Sequence, residues 1–193
     1  MTTWKGIVGR PFTPADFIEY VHGLTFPMWR PRFVVLHNTA IPTFAEWHDV
    51  PGLARMAGLE RYYRDDQGWS GGPHLFVADD VIWVFTPLTV PGVHAPSWNT
   101  ISWGVEMVGD YDREPLSPAV FRNTVSALAT LHDVLGSDPA TLHLHKEDPL
   151  TTHRSCPGRA VDKQNLISAV VAELTFRHAD ENRSDRADAV DAA

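Results

Sequence analysis

Hydrophobic residues recur at two spacings along the chain, one typical of strands and one typical of helices. Segments of the two kinds alternate, which predicts an α/β fold. Apolar and β-branched residues fill positions 32–39 and end abruptly in polar residues. This pattern is typical of a buried strand whose carboxyl end opens onto a surface. Apolar residues at helical spacing, with Pro near each start or Gly near each end, predict four helices. These helices cover residues 13–23, 50–66, 117–136 and 159 to about 176.

Four further strands complete the predicted sheet. Residues 74–77 and 81–85 read as a hairpin, because two short apolar runs flank Asp79-Asp80. Residues 101–108 alternate, which places Trp103, Val105 and Met107 on one face and Ser102, Gly104 and Glu106 on the other. Residues 141–145 form a strand with His143 and His145 on the same face. We therefore predict an α/β fold in which helices cover a mixed central sheet.

The size of the chain fits one domain. It has 193 residues, enough to enclose a hydrophobic core without disulfides. We assign residues 1–176 to this domain. Residues 177–193 are charged and alanine-rich with almost no large apolar residue, so we expect a disordered tail.

Charge and apolar content exclude several classes of function. There are 16 Lys and Arg against 24 Asp and Glu, a net charge of -8, which argues against nucleic acid or an anionic membrane surface as a partner. No segment approaches the roughly 20 apolar residues of a membrane span, and the N-terminus has no apolar stretch of signal-peptide length. We expect cytoplasmic synthesis, with any extracytoplasmic substrate reached by another route.

Candidate chemistry lies at the ends of two strands and in one loop. His37 and His145 end predicted strands, and Cys156, the chain's single cysteine, precedes a Pro-Gly turn. These are zinc-ligand types, and three protein ligands leave a fourth position for water, as catalytic sites require. A nearby carboxylate would accept the proton during hydrolysis. On spacing alone His143 remains a rival ligand, and a lone cysteine also fits a small buried hydrophobe.

Five ordered segments carry a family resemblance. They are Val34-Val-Leu-His-Asn-Thr-Ala40, Gly68-Trp-Ser-Gly-Gly-Pro-His-Leu-Phe-Val77, Gly92-Val-His-Ala95 with Asn99, Ser102-Trp-Gly-Val-Glu-Met-Val-Gly-Asp110, and His145 through Cys156-Pro-Gly158. In order and spacing they resemble the zinc N-acetylmuramoyl-L-alanine amidases, a family that includes phage amidase-type lysozymes and peptidoglycan-recognition proteins. The resemblance spans roughly residues 33–170.

The resemblance implies a role for each matched position. The zinc ligands would be His37, His145 in preference to His143, and Cys156. Arg154 stands where members often have a Lys or Thr that steadies the oxyanion, and Glu106 stands where some place a carboxylate that assists the attacking water. The expected substrate contacts are His74, His94, Trp98 and Asn99.

The implied substrate is peptidoglycan or a muropeptide, cleaved between the lactyl group of N-acetylmuramic acid and L-alanine. We expect a monomer with no nucleic-acid partner and no membrane insertion. The setting implied is a phage or prophage endolysin that acts on the cell wall when released at lysis, or a bacterial recycling amidase.

One position departs from the family pattern and keeps alternatives open. Many members have Tyr just before the His of the second segment, and here Pro73 offers no side-chain donor. The role of that phenol is either absent or taken by His74, Tyr63 or Glu106. A peptidoglycan-binding module that cleaves nothing is therefore a second hypothesis. The third is a cysteine hydrolase with Cys156 as nucleophile and His145 or His153 as base.

Overall fold

A six-stranded mixed sheet forms the centre of the molecule. The computed structural model describes residues 3–191, with the side chains of the last helix described as far as Asp180 and at Arg183. The strands are β1 (Arg10–Phe12), β2 (Phe33–Asn38), β3 (Leu75–Val77), β4 (Ile82–Val84), β5 (Ser102–Met107) and β6 (His143–Leu144). Their order across the sheet is β1-β4-β3-β5-β2-β6, with β3, β5, β2 and β6 parallel and β1 and β4 antiparallel to their neighbours.

Within residues 3–191, five α-helices surround the sheet. They are α1 (Pro14–His22), α2 (Phe44–His48), α3 (Gly52–Arg61), α4 (Pro118–Leu135) and α5 (Lys163–Asp191). The ends of these helices follow local chemistry. The Thr13 side chain accepts a hydrogen bond at the start of α1, and Gly136 ends α4 in a left-handed conformation that glycine adopts without strain. A π-helical turn, Tyr62–Asp66, extends α3.

The two faces of the sheet are covered unequally. Alternate residues of β2, β3 and β5 pack with α1, α4 and α5 into the larger core, which includes Leu36, Leu75, Trp103, Val105 and Leu128. On the opposite face a smaller core joins Trp47 and Met56 of α2 and α3 to Phe76, Trp83 and Phe85. This smaller core covers the β3–β4 side, so the carboxyl ends of β2 and β5 stay open on that face.

The predicted single domain with a mixed sheet covered by helices is confirmed. The strand alternation in β5 is also as predicted, since Trp103, Val105 and Met107 lie in the larger core. Two short elements, β1 and α2, were not predicted. For α2 a signal was present, because Thr43 and Glu46 form a capping box.

The last helix differs from expectation. We predicted an end near Phe176 and a disordered tail at 177–193, but α5 continues to Asp191, and residues 192–193 lie outside the described part of the chain. Ala, Glu, Asp and Arg dominate this stretch, and Ala, Glu and Arg favour helix even without apolar contacts. Arg177 also anchors the helix, because its guanidinium donates to the hydroxyls of Thr130 and Ser126 on α4. Within residues 3–191, no helix combines the length and apolarity that crossing a membrane requires.

Candidate metal centre

Strand order brings the three predicted ligands together. His37 lies near the carboxyl end of β2, and His145 begins a 3₁₀ turn directly after the parallel neighbour β6. Cys156 lies in a loop that reaches the same point. Its own backbone carbonyl accepts a hydrogen bond from the backbone N–H of Lys146. The ligand atoms of the three residues lie within 4.8 Å of one another. Carboxyl ends of parallel strands meet at one edge of a sheet, which explains why residues so distant in sequence converge.

Neighbouring groups orient both imidazoles. Nε2 of His37 lies 3.1 Å from Nδ1 of His94, and Nε2 of His145 lies 2.9 Å from the hydroxyl of Thr151. The Thr151 hydroxyl also accepts from the backbone N–H of His153. Because each Nε2 has a partner, Nδ1 is the nitrogen left free on both ligands. Partners of this kind set the tautomer and aim of a metal-binding histidine.

The donor set suits zinc. Two imidazoles and a thiolate match the hardness and number of ligands in catalytic zinc sites. Burial lowers the pKa of His37 well below its usual value and that of His145 to about 4, so both rings are neutral and keep a lone pair at neutral pH. Burial raises the pKa of the Cys156 thiol, and a coordinated cation would reverse that shift. The residues present therefore fit a zinc ion.

Glu106 faces the same site from the adjacent strand. It is the register partner of His37 in the parallel β2–β5 pair. Its Oε2 is enclosed and makes no hydrogen bond to any described residue. Burial raises the pKa of this carboxyl to about 8. A buried carboxyl without a partner is costly, and such groups concentrate at functional sites.

A cleft made of two adjoining cavities contains these groups. The first has a volume of about 400 Å³ and is lined by all three metal-binding candidates and Glu106. The second, of about 320 Å³, shares His94, His145, His153, Trp69 and Val93 with the first. Exposed apolar side chains line the cleft as well: Ile41, Tyr62, Trp69 and Leu150. Exposed apolar surface beside polar groups marks binding sites.

Comparison with known proteins agrees with this geometry. The profile of the family described as N-acetylmuramoyl-L-alanine amidase matches residues 28–159. The chain belongs to this amidase family. A human N-acetylmuramoyl-L-alanine amidase is 28% identical over 137 residues, which cover 67% of this chain and 23% of the human protein. The chain thus spans about a quarter of that relative's length.

Solved structures with the same fold include phage-type and animal proteins. The endolysin amidase LysCS from Clostridium intestinale URNW superposes with a TM-score of 0.56 at 21% identity, covering 76% of this chain and 90% of that one. The endolysin of the Thermus scotoductus bacteriophage Ph2119 gives 0.57 at 21% identity, covering 80% and 96%. A mutant of Drosophila PGRP-LB in complex with tracheal cytotoxin gives 0.57 at 21% identity, covering 78% and 89%. These likenesses establish the fold of the amidase-family chain.

The expected substrate contacts separate into two pairs. His94 lines both cavities and Asn99 lines the second. The Asn99 side chain also accepts from the backbone N–H groups of His94 and Ala95, which holds the loop that carries His94. A Cβ at Gly104 would collide with the His94 ring, so glycine there lets the ring lie against β5.

His74 and Trp98 do not line either cavity of the amidase-family chain. His74 is fully buried, accepts from the backbone N–H of Gly104 and donates to the carbonyl of Val90. Both of its nitrogens are thus committed to backbone, and its expected contact with substrate stays a prediction. Trp98 packs instead against Phe33 and His143. That packing also turns His143 away from the metal-binding cluster, so His143 is not among the candidate ligands.

Arg154 also lies outside the cleft. Its side chain is exposed and lines neither cavity, although the neighbouring His153 lines both. The structure thus leaves Arg154 outside both cavities, and its expected contact with an oxyanion stays a prediction. His153 stacks on His145 and lines both cavities. Thr151 was missed, because nothing in the sequence marks a threonine as the partner of a histidine six residues earlier.

Proposed function

We propose that the chain is a zinc hydrolase that cleaves the amide between the lactyl group of N-acetylmuramic acid and L-alanine in peptidoglycan. The observation that carries this proposal is a single cleft that holds a His-His-Cys donor set and the unpartnered carboxyl of Glu106. Membership of the amidase family supports the same reaction. The apolar side chains around the cleft suit a large glycopeptide rather than a small polar substrate.

Different residues of the cleft have different roles in the proposed hydrolysis. When bound by His37, His145 and Cys156, zinc supplies Lewis acidity that activates water and polarises a carbonyl oxygen. Glu106 accepts the proton that the attacking water loses and returns it to the departing nitrogen. One C–O bond forms and the C–N bond breaks, so the products are a lactyl carboxylic acid and a peptide with a free amino terminus. His94 and Thr151 hold the two imidazoles in their binding tautomers.

The first experiment measures metal and product together. Elemental mass spectrometry of the purified protein should find about one zinc per chain, and Cys156→Ser and His145→Ala should lose it. Liquid chromatography with mass spectrometry should then detect the separated peptide and lactyl glycan from a muropeptide. Glu106→Gln should keep the zinc and lower kcat by about 10²–10⁴-fold. Absence of metal from folded wild-type protein would refute the zinc mechanism.

One observation favours a second candidate, a peptidoglycan-binding module without catalysis. Pro73 lines the first cavity and contributes no donor to it. Calorimetry with the same muropeptide separates the two candidates. Saturable binding to zinc-loaded protein with no product after prolonged incubation would decide for the module.

The cysteine hydrolase is less well supported. Burial raises the pKa of the Cys156 thiol, and the nearby charge of Glu106 raises that pKa further, so without a cation the thiolate nucleophile would be scarce. Activity that survives chelators but not thiol alkylation would restore this hypothesis. Alkylation alone cannot, because it also destroys a metal ligand.

We further propose an endolysin setting. Two proteins with the same fold are endolysins, and such an enzyme needs access to the wall from outside or through a membrane lesion. Added protein should reduce the turbidity of purified cell walls. Failure on intact walls together with cleavage of soluble muropeptides would indicate a recycling amidase instead.

A further inference from the structure

The first cavity contains a second polar group without a protein partner, the hydroxyl of Tyr63. Tyr63 lies in the π-helical turn Tyr62–Asp66 that follows α3, and its side chain lines the cavity together with Glu106, His37 and Cys156. Its hydroxyl forms no hydrogen bond with any residue between 3 and 191 whose side chain is described. Single π-helical turns of this kind recur at functional sites.

The ring of Tyr63 is held in place from three sides. Trp69 stacks on it with ring centroids 5.4 Å apart and planes 16° apart, and Phe85 packs edge-on at 5.7 Å. The third side is the backbone at Gly72, where an added Cβ would lie 2.9 Å from the Tyr63 ring and 2.8 Å from Phe85. Glycine at position 72 is therefore needed for the ring to reach the cavity wall beside Pro73.

The electrostatic surroundings keep the phenol protonated. Burial and the charge of Glu106 raise the pKa of Tyr63 well above its usual value. The phenol is thus a neutral donor throughout the physiological range, in the same cavity as the enclosed carboxyl oxygen of Glu106. Neither group has a hydrogen-bond partner among the described residues, so both are available to a ligand that carries complementary groups. An amide with its attacking water has these complements.

We propose that Tyr63 is a further catalytic residue, whose hydroxyl donates a hydrogen bond to the carbonyl oxygen of the scissile amide as that oxygen gains negative charge. This role rests on the proposed hydrolase function. No atom is transferred by Tyr63, so the balance of the hydrolysis is unchanged. The Tyr63 hydroxyl comes from a helical turn on the open face of the sheet. Pro73, which lines the same cavity, supplies no donor, and Arg154 is exposed to solvent.

The test removes the hydroxyl and leaves the ring. Tyr63→Phe should lower kcat on the order of 10²-fold, the usual effect of losing one donor to an oxyanion, with KM within about twofold because the interaction strengthens in the transition state. Zinc content and thermal midpoint should match those of wild type. Tyr20→Phe is the matched control, since it removes the same atom from a partly buried ring on α1 that packs on Phe12, away from the cleft.

The possible outcomes distinguish this role from the function on which it rests. Tyr63→Phe with the kcat of wild type, while Tyr63→Leu is slow, would show that the ring alone matters and would overturn the role. A loss of zinc in Tyr63→Phe would also overturn it, because the effect would then be structural. Zinc-loaded wild type that binds muropeptide and never cleaves it would overturn the hydrolase function and this role together.

Discussion

The two faces of the same sheet place neighbouring strand residues in different surroundings. On β2, Leu36 points into the core beneath α4 and is fully buried, whereas His37 points into the cleft beside Glu106 and His94. Helices α1, α4 and α5 close the first face, while α2 and α3 cover only the β3–β4 side of the second. The strand alternation is the same on both faces, so the site arises where helices leave polar strand positions uncovered.

Separate substitutions of the neighbours Leu36 and His37 are the strongest test of this difference between the faces. His37→Ala should abolish zinc binding and reduce amidase activity to background, because a ligand is lost. Leu36→Ala should leave about one zinc per chain but lower the free energy of unfolding by about 2–5 kcal/mol, since a core side chain is truncated. Elemental mass spectrometry and urea denaturation check both. Equal stability losses with zinc kept in both variants would erase the distinction between the faces.

On the open face, substituting His94, the partner of His37, should reduce zinc affinity less than substituting His37 itself. His94→Gln should weaken zinc binding by about 10–100-fold, because Nε2 of His37 loses an oriented partner. Competition with a chromophoric chelator measures this affinity. His48→Gln is the control, because His48 pairs with Asp79 outside the cleft. Equal affinities in the two variants would show that His94 does not orient the ligand.

The unpaired carboxyl of Glu106 predicts a pH dependence of the metal-free protein. Its pKa is about 8 in the folded state against an ordinary value of 4.5, so the folded state holds the proton more tightly than the unfolded chain. Stability is therefore lost as pH rises from about 4.5 to 8. Glu106→Gln lacks this loss and should gain on wild type across that window, on the order of 1–2 kcal/mol because the cleft admits water.

Chemical denaturation of chelator-treated protein at pH 5 and pH 8 measures the difference between the two proteins. The buried histidines are common to both and cancel in this difference. With zinc bound the gain should shrink, since a cation favours the carboxylate. If the stability gain of Glu106→Gln over wild type stayed constant or fell as pH rose, the conclusion that burial raises the pKa of Glu106 would be wrong.

The smallest effect is expected outside the cleft. Arg154→Ala should change kcat by at most about fivefold, which corresponds to about 1 kcal/mol, because an exposed charge distant from the reacting atoms contributes little. Steady-state kinetics on a soluble muropeptide measures it, with Arg122→Ala on α4 as a second exposed cation outside the cleft for comparison. A loss as large as that expected for Tyr63→Phe would mean that the loop carrying Arg154 closes over the substrate.

Much of the fold could be predicted because the signals are local. The β5 alternation and the Ser117-Pro118 and Gly136 boundaries of α4 depend on neighbouring residues and survive in the structure. Short elements such as β1 offered too few residues for a period to be recognised. The extent of α5 depended on helix propensity and on the anchoring of Arg177 to α4, which no apolar pattern in the tail revealed.

Strand ends and residue types made His37, His145 and Cys156 candidate ligands at the level of sequence, and the family resemblance favoured His145 over His143. The surroundings of those ligands could not be predicted in this way. Tyr63 and Glu106 share a cavity, His74 is sealed by backbone partners, and Arg154 faces solvent. Each of these facts depends on how separate elements pack, because the direction of a side chain in a loop or turn is set by tertiary contacts rather than by its neighbours in sequence.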